Sequence, residues 1–103
     1  MICVSVSYPS GPGARFDHAY YQQKHRALVM DRLSGIGLTR IEMDQGLSGM
    51  VPGSEPMFTG AARLYFNTIG EFQQAMALHG AELMADIPNY TDIQPLFQVS
   101  ETA

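Results

Sequence analysis

The chain has 103 residues, of which 46% are hydrophobic and 16% are charged, and this length leaves no room for a second core. The formal net charge is −4 and the six Lys and Arg residues are scattered, so no basic patch exists for nucleic acid or an acidic membrane surface. The single cysteine, Cys3, cannot form an internal disulfide, and no apolar run approaches the ~20 residues of a membrane span. We therefore expect one domain over residues 1–103, located in the cytoplasm, whose low charge content favours a homodimer.

The first half of the chain predicts a strand, a helix and a second strand. Residues 2–8 alternate apolar with small or polar side chains, which is the period of a half-buried strand. The segment from Pro9 to Gly13 interrupts this strand, and Asp17 can cap a helix that runs to about Leu33. A second strand is expected over Leu38–Gln45, with one face formed by Thr39, Ile41 and Met43.

The second half predicts a loop, a strand, a helix and a last strand. Residues 46–56 hold three Gly, two Pro and two Ser, and we interpret them as a mobile loop or lid. A third strand follows from about Phe58 to Phe66, and Thr68 with Glu71 forms a capping box that begins the second helix. A last strand is expected from about Leu96 to Glu101. One face of the second helix is marked by residues at helical spacing: Phe72, Met76, His79 and Leu83.

The order β-α-β-β-α-β is that of the split βαβ, or ferredoxin-like, unit. It predicts an α+β domain in which a four-stranded antiparallel sheet carries two helices on one face. The opposite face of the sheet would be poorly solvated in a monomer. Pairing two such sheets into a dimeric α+β barrel would cover that face and leave a cavity between each sheet and its helices.

Two histidines are candidates for proton transfer. His25 lies four residues after Tyr21 on the first helix, so both side chains share a helix face. A neutral imidazole there could donate from one ring nitrogen and accept at the other, which suits acid–base chemistry near neutral pH. His79 lies on the apolar face of the second helix, and both histidines could reach one cavity. The alternative for each is a packed histidine with a structural hydrogen bond.

A polar connector after the second helix is a second candidate for site residues. It holds more hydrogen-bonding side chains than a turn requires, so it either ties down the last strand or lines a pocket: Asn89, Tyr90, Thr91 and Asp92. Tyr90 and Tyr65 are the tyrosines that we expect to contact ligand or water. Arg63 shares a strand face with Tyr65 and is expected to pair with Glu42 or Asp44.

The sequence offers no pattern for a metal or a bound cofactor. Neither helix contains a His-x-x-x-His or Glu-x-x-His pair, and no cysteine cluster exists. Glycine-rich nucleotide loops and a Gly-x-Ser-x-Gly elbow are also missing. We therefore expect no metal and no cofactor, and haem binding through His25 or His79 is a weaker alternative.

Several segments resemble the EthD family of ethyl tert-butyl ether degradation proteins, over almost the whole chain. They are Val4-Ser5-Val6-Ser7-Tyr8-Pro9, Arg15-Phe16-Asp17-x-x-Tyr20-Tyr21-x-x-x-His25 and Asp86-Ile87-Pro88-Asn89-Tyr90-Thr91-Asp92. The resemblance implies a ferredoxin-like homodimer with a central barrel and a pocket in each subunit. EthD proteins are linked to a cytochrome monooxygenase system, and relatives that share the barrel include cofactor-free monooxygenases, cyclases and isomerases.

Together these observations suggest a small catabolic or accessory oxidoreductase, monooxygenase or isomerase-like enzyme that acts on an apolar, oxygenated molecule. His25 is the expected general acid–base, oriented by Tyr21 or Asp92. Substrate contacts are expected from Tyr90, His79 and Tyr65. The alternative is a non-catalytic binder of a hydrophobic metabolite, or an accessory protein that docks to a monooxygenase.

Overall fold

A computed structural model describes all 103 residues, and its centre is a four-stranded antiparallel sheet. The strands are β1 (Ile2–Pro9), β2 (Leu38–Gln45), β3 (Phe58–Phe66) and β4 (Leu96–Glu101), arranged in the order β2-β3-β1-β4. Two helical regions connect β1 to β2 and β3 to β4, and they pack on one face of the sheet. This arrangement confirms the predicted α+β, ferredoxin-like fold.

The two faces of the sheet differ sharply in polarity. On the face that meets the helices, Val4 pairs with Leu64 and Val6 pairs with Ala62, and these residues belong to or pack against the core. On the opposite face, Ser5 lies between Arg63 of β3 and Gln98 of β4. Since side chains alternate between faces along a strand, this pairing directs apolar side chains to the helices and polar side chains away.

The first helical region has three parts, with a π-helical turn in the middle. It consists of α1 (His18–Tyr20), the π-helical turn Tyr21–His25 and α2 (Arg26–Leu33). Asp17 caps its start as predicted, because its carboxylate accepts a hydrogen bond from the Tyr20 amide at 3.1 Å. The Arg26 amide reaches back to the carbonyl of Tyr21, five residues earlier. Such widened turns are rare in proteins, and those that occur are often found at functional sites.

The second helical region is α3 (Ile69–Asp86), followed by a 3₁₀ turn at Ile87–Asn89. Thr68 caps α3, since its hydroxyl accepts from the Glu71 amide at 3.1 Å. The Glu71 carboxylate accepts from that same hydroxyl at 3.2 Å, so the capping box forms only half of its expected reciprocal pair. No helix of the chain has both the length and the apolar character needed to cross a membrane.

A bulge in β2 changes which side chains face the core. The register with β3 shifts between Leu38 and Arg40, so both Leu38 and Ile41 are buried although they are three residues apart. Thr39 is exposed, and its hydroxyl donates to the carbonyl of Tyr65 at 3.1 Å. The prediction that Thr39 shares a face with Ile41 is therefore wrong.

The polar connector after α3 fastens the loop that precedes the first helix. The Arg15 amide donates to the Asp92 carboxylate at 2.9 Å, and the Arg15 guanidinium donates to the Pro88 carbonyl at 2.8 Å. The Thr91 hydroxyl donates to the Arg15 carbonyl at 2.6 Å. These bonds hold the start of the first helix beside the end of α3, and this contact brings the site residues together.

The Thr68 cap gives a testable stability prediction. Thr68→Ala removes the hydroxyl that satisfies a free amide in the first turn of α3, and we expect a loss of about 1 kcal/mol in the free energy of unfolding. Urea titration followed by circular dichroism measures this change. Ser48→Ala is the matched control, because the Ser48 hydroxyl bonds only its neighbour's carbonyl in an exposed loop. Equal stabilities of the two variants would contradict the role of the cap.

Candidate functional site

A cavity of about 420 Å³ lies between the sheet and the helices. Of its 20 lining residues 17 are hydrophobic, and they come from all four strands and both helical regions. The apolar wall is formed by side chains such as Val29, Met43, Leu64, Met76 and Leu83. A mainly apolar cavity with a few convergent polar groups is the usual form of a small-molecule site.

The π-helical turn places one polar side chain, that of His25, in the lining of the cavity. His25 is 8% exposed, and its Nδ1 lies 2.8 Å from Oδ2 of Asp86. Nε2 makes no hydrogen bond with any protein group. Because a carboxylate can only accept, Nδ1 carries the proton and Nε2 of the neutral ring is left as an acceptor. The imidazole is thus oriented as a base that faces the cavity.

Asp86 is held by three donors at the end of α3. Its Oδ1 accepts from the Tyr20 hydroxyl at 2.7 Å and from Asn89 Nδ2 at 2.9 Å, while Oδ2 faces His25. Burial alone would raise the pKa of Asp86, but the hydrogen bonds from Tyr20, His25 and Asn89 outweigh it and hold the pKa below its usual value. Asp86 is therefore ionised at neutral pH and fixes the tautomer of His25.

Three tyrosine hydroxyls meet beside His25. Tyr8 and Tyr90 share a hydrogen bond of 2.6 Å between their hydroxyl oxygens, and both side chains are buried. The Tyr21 hydroxyl is buried without a hydrogen-bond partner, although Tyr21 lines the cavity. Its ring stacks on His25 with centroids 5.9 Å apart and planes 14° apart. An unpaired buried hydroxyl beside a cavity is a position that a ligand oxygen would satisfy.

The same tyrosines remain protonated at neutral pH. Burial raises the pKa of Tyr21 far above its usual value of 10.0, and it does the same for Tyr90. Burial also raises the pKa of Tyr8, although the Tyr90 hydroxyl partly offsets this increase. The cluster therefore supplies O–H donors and no phenolate.

Tyr65 lies on the opposite face of the sheet from the cavity. Its hydroxyl donates to Glu42 at 2.9 Å, and the Arg40 guanidinium lies 4.3 Å from its ring centre. Arg63 pairs with Glu42 at 3.1 Å and with Asp44 at 2.9 Å, which confirms the predicted ion pair. Tyr65 thus belongs to a polar cluster on the outer face of the sheet.

The other predicted site residues divide between the cavity and its surroundings. His25 and Tyr21 line the cavity together, whereas Tyr90 lies behind Tyr8 and contacts the ring of His25 with centroids 4.8 Å apart. His79 is half-buried on α3 but outside the lining, and exposed Asp92 bonds the Arg15 amide. None of residues 46–56 lines the cavity.

Sequence reasoning missed two members of the site. Asp86 is 61 residues from His25 along the chain, and no local spacing joins them. Tyr8 lies in the predicted strand β1, but its bond to Tyr90 spans 82 positions. The structure contains no group of three or more His, Cys, Asp or Glu side chains that could hold a metal ion.

Comparison with solved structures places these features among known proteins. An EthD-like protein from Ralstonia eutropha JMP134 is 43% identical, with a TM-score of 0.91 over 97% of this chain and 89% of that chain. An EthD family protein from Bacillus halodurans C-125 is 18% identical, with a TM-score of 0.73 over 100% and 99% of the two chains. A candidate monooxygenase from Shewanella loihica PV-4 is 10% identical, with a TM-score of 0.59 over 99% and 94%. The last two show the shared fold alone.

The family comparison covers both helical regions, the connector and two of the four strands, β2 and β3. No curated protein matches the chain. The profile of the EthD domain matches residues 13–94, which include Tyr21, His25, Asp86 and Tyr90. With this match over most of its length and a close structural relative of the same kind, the chain belongs to the EthD family.

Proposed function

We propose that the chain is a small catabolic enzyme that binds an apolar, oxygenated molecule in the cavity and moves a proton with His25. The observation that carries this proposal is the hydrogen bond between buried His25 and half-buried Asp86, beside an unpaired Tyr21 hydroxyl at an otherwise apolar cavity. Proton transfer to or from a bound molecule requires a base and an O–H donor beside the same space, and His25 and Tyr21 supply them.

His25 is assigned the role of general base. Nε2 takes a proton from an O–H group, or from a C–H group next to an oxygen-bearing carbon, and the electron pair stays on the substrate as an anion. Asp86 stabilises the imidazolium that forms, because its ionised carboxylate lies 2.8 Å from Nδ1. We assign this orienting role to Asp86 and not to Asp92, whose carboxylate bonds the Arg15 amide.

Tyr21 is assigned the role of holding the substrate oxygen. Its O–H lacks a partner in the protein, so a bound oxygen gains a hydrogen bond without displacing another. The bond strengthens as negative charge grows on that oxygen, and this differential stabilisation is what lowers a reaction barrier. The anion so formed is the shared starting point of cofactor-free oxygenation, isomerisation and cyclisation.

Family membership supports a catabolic role and a link to oxidation. The family that the chain belongs to is the EthD family, whose name refers to ethyl tert-butyl ether. We extend the proposal to a homodimer whose sheets pair through their outer faces, and to action beside a monooxygenase system. Tyr65, His79 and the loop of residues 46–56 receive no role in the proposed chemistry, since they lie outside the cavity lining.

Deuterium exchange tests the proton transfer directly. 2-Tetralone is an apolar ketone with an acidic C–H group, and we expect the protein to accelerate exchange of that hydrogen in deuterated water, measured by NMR. His25→Phe should reduce the acceleration about 100-fold, because the base is lost while the ring shape remains. His79→Phe is the matched control and should exchange at the rate of the unmodified protein.

The outcomes separate catalysis from binding. Accelerated exchange that disappears only in His25→Phe supports the enzyme. Saturable binding of 2-tetralone without acceleration favours the non-catalytic binder of a hydrophobic metabolite. Equal acceleration by His25→Phe and the unmodified protein would contradict the role of His25.

Acid unfolding tests the charge on Asp86. Its folded pKa is lowered, so its contribution to stability is complete above the usual value of 3.8 and is lost as pH falls through the lowered value. Asp86→Asn should lower the free energy of unfolding by about 1 kcal/mol at pH 7. The part of the loss of stability at low pH that comes from protonation of Asp86 should be missing in this variant. Urea unfolding at several values between pH 3 and pH 7 measures the difference. Glu55→Gln, in an exposed loop without an ion pair, is the control, and equal acid slopes in Asp86→Asn and the unmodified protein would contradict the assignment.

The solution mass tests the homodimer. Analytical ultracentrifugation at micromolar concentration should give twice the chain mass of 11.3 kDa. Ser5→Lys places a second cation beside Arg63 at the middle of the outer sheet face, so it should shift the mass towards the monomer. Ser48→Lys adds the same charge to the exposed loop and should remain dimeric. A monomeric unmodified protein would overturn this part of the proposal.

A further inference from the structure

We infer that the cavity selects a hydroxyl group over an ether oxygen, so that its ligand is a neutral apolar alcohol, phenol or enol. This inference rests on the proposed function, since it concerns the same cavity. It follows from counting the hydrogen-bond donors and acceptors that the cavity leaves free.

The free acceptor is Nε2 of His25. The proton on Nδ1 is committed to Asp86, which in turn is fixed by Tyr20 and Asn89 at its other oxygen. Nε2 therefore presents a lone pair to the cavity and no proton. A ligand must supply a donor to satisfy it.

The free donor comes from the tyrosine cluster. Tyr8, Tyr21 and Tyr90 carry three hydroxyl protons, and one is used in the bond between Tyr8 and Tyr90. The Tyr21 hydroxyl has no hydrogen-bond partner in the protein, so its proton has no acceptor among the three oxygens. Tyr90 does not line the cavity, so the donors that a ligand can meet are the hydroxyls of Tyr8 and Tyr21. Both of these residues line the cavity.

One ligand atom can meet both requirements. Tyr21 and His25 follow each other on one helix face, and their rings lie nearly parallel with centroids 5.9 Å apart. A hydroxyl oxygen accepts from the tyrosine O–H and donates its own proton to Nε2. An ether oxygen only accepts, so an ether leaves the lone pair of Nε2 buried and unpaired.

The rest of the lining excludes charged ligands. No lysine or arginine lines the cavity, and 17 of its 20 residues are hydrophobic. A carboxylate or phosphate ligand would lose its hydration without gaining a cation. The geometry thus favours the hydroxylated product of an ether cleavage over the ether itself.

A matched pair of fluorescent probes tests the preference. 2-Naphthol carries the hydroxyl, and 2-methoxynaphthalene replaces it with an ether oxygen on the same ring system. The chain contains no tryptophan, so the probes can be excited where the protein does not absorb. We expect 2-naphthol to bind about tenfold more tightly, since sites built to bond a hydroxyl discriminate strongly against analogues that lack it.

Two variants assign the preference to His25. His25→Phe removes the acceptor and should lower the affinity for 2-naphthol about tenfold, to that of the ether. Asp86→Asn serves as a second variant that keeps the imidazole. Tyr20 and Asn89 both donate to Oδ1, so the amide oxygen of the new residue should take that place and its NH₂ should face Nδ1. The ring then carries its proton on Nε2, and the preference for the hydroxyl should disappear.

Tyr65→Phe and His79→Phe are matched controls outside the cavity, and both should keep the affinities of the unmodified protein. Tighter binding of 2-naphthol that is lost in His25→Phe or Asp86→Asn supports the inference. Equal affinities for both probes, or a preference that survives in both variants, would overturn the inference and leave the proposed function intact. Failure of both probes to bind would overturn the proposed use of the cavity as well.

Discussion

The carboxylate of Asp86 is the contact on which the site depends. It accepts hydrogen bonds from Tyr20, His25 and Asn89, and so it joins the end of α3 to the first helical region. A half-buried carboxylate is costly unless donors replace its lost hydration. Here the donors include the imidazole itself, so the bonds that make the charge tolerable also fix the orientation of the base. Stability and proton transfer therefore draw on one set of hydrogen bonds.

The π-helical turn explains how two donors of the first helix reach one carboxylate. In a regular α-helix, Tyr20 and His25 would lie about 140° apart around the axis, because five residues are more than one turn. A π-helical turn bonds residues five apart, as Arg26 does with Tyr21, and it brings such positions towards the same side. Tyr21 still stacks on His25, four residues away. The widened turn thus lets Tyr20 and His25 share Asp86 while Tyr21 faces the cavity.

Local patterns predicted most of the fold but only part of the site. The residue pattern predicted the bounds of β2 and β3, and the Thr68 capping box predicted the start of α3. These features depend only on neighbouring residues. The bulge after Leu38 and the π-helical turn escaped prediction, because residue type does not reveal strand register or a widened turn. The i, i+4 spacing predicted that Tyr21 and His25 share a helix face, because this contact depends on neighbouring residues. The hydrogen-bond partner of His25 depends on the path of the connector, which local spacing does not give. Asp86 and Asp92 flank the same turn, and only the three-dimensional path decides which of them meets the imidazole.

The order of charges across the site favours a weakly acidic ligand. When Nε2 takes a proton, the imidazolium lies between the Asp86 carboxylate and the new anion, so each charge has an opposite neighbour. The anion also meets the tyrosine O–H, which burial keeps protonated. Since 17 of the 20 lining residues are hydrophobic, the wall offers few other polar groups, and the fixed groups carry the stabilisation. A ligand that arrives already ionised finds no lysine or arginine in the lining, and this asymmetry explains why the cavity combines a single base with phenol donors and no cation.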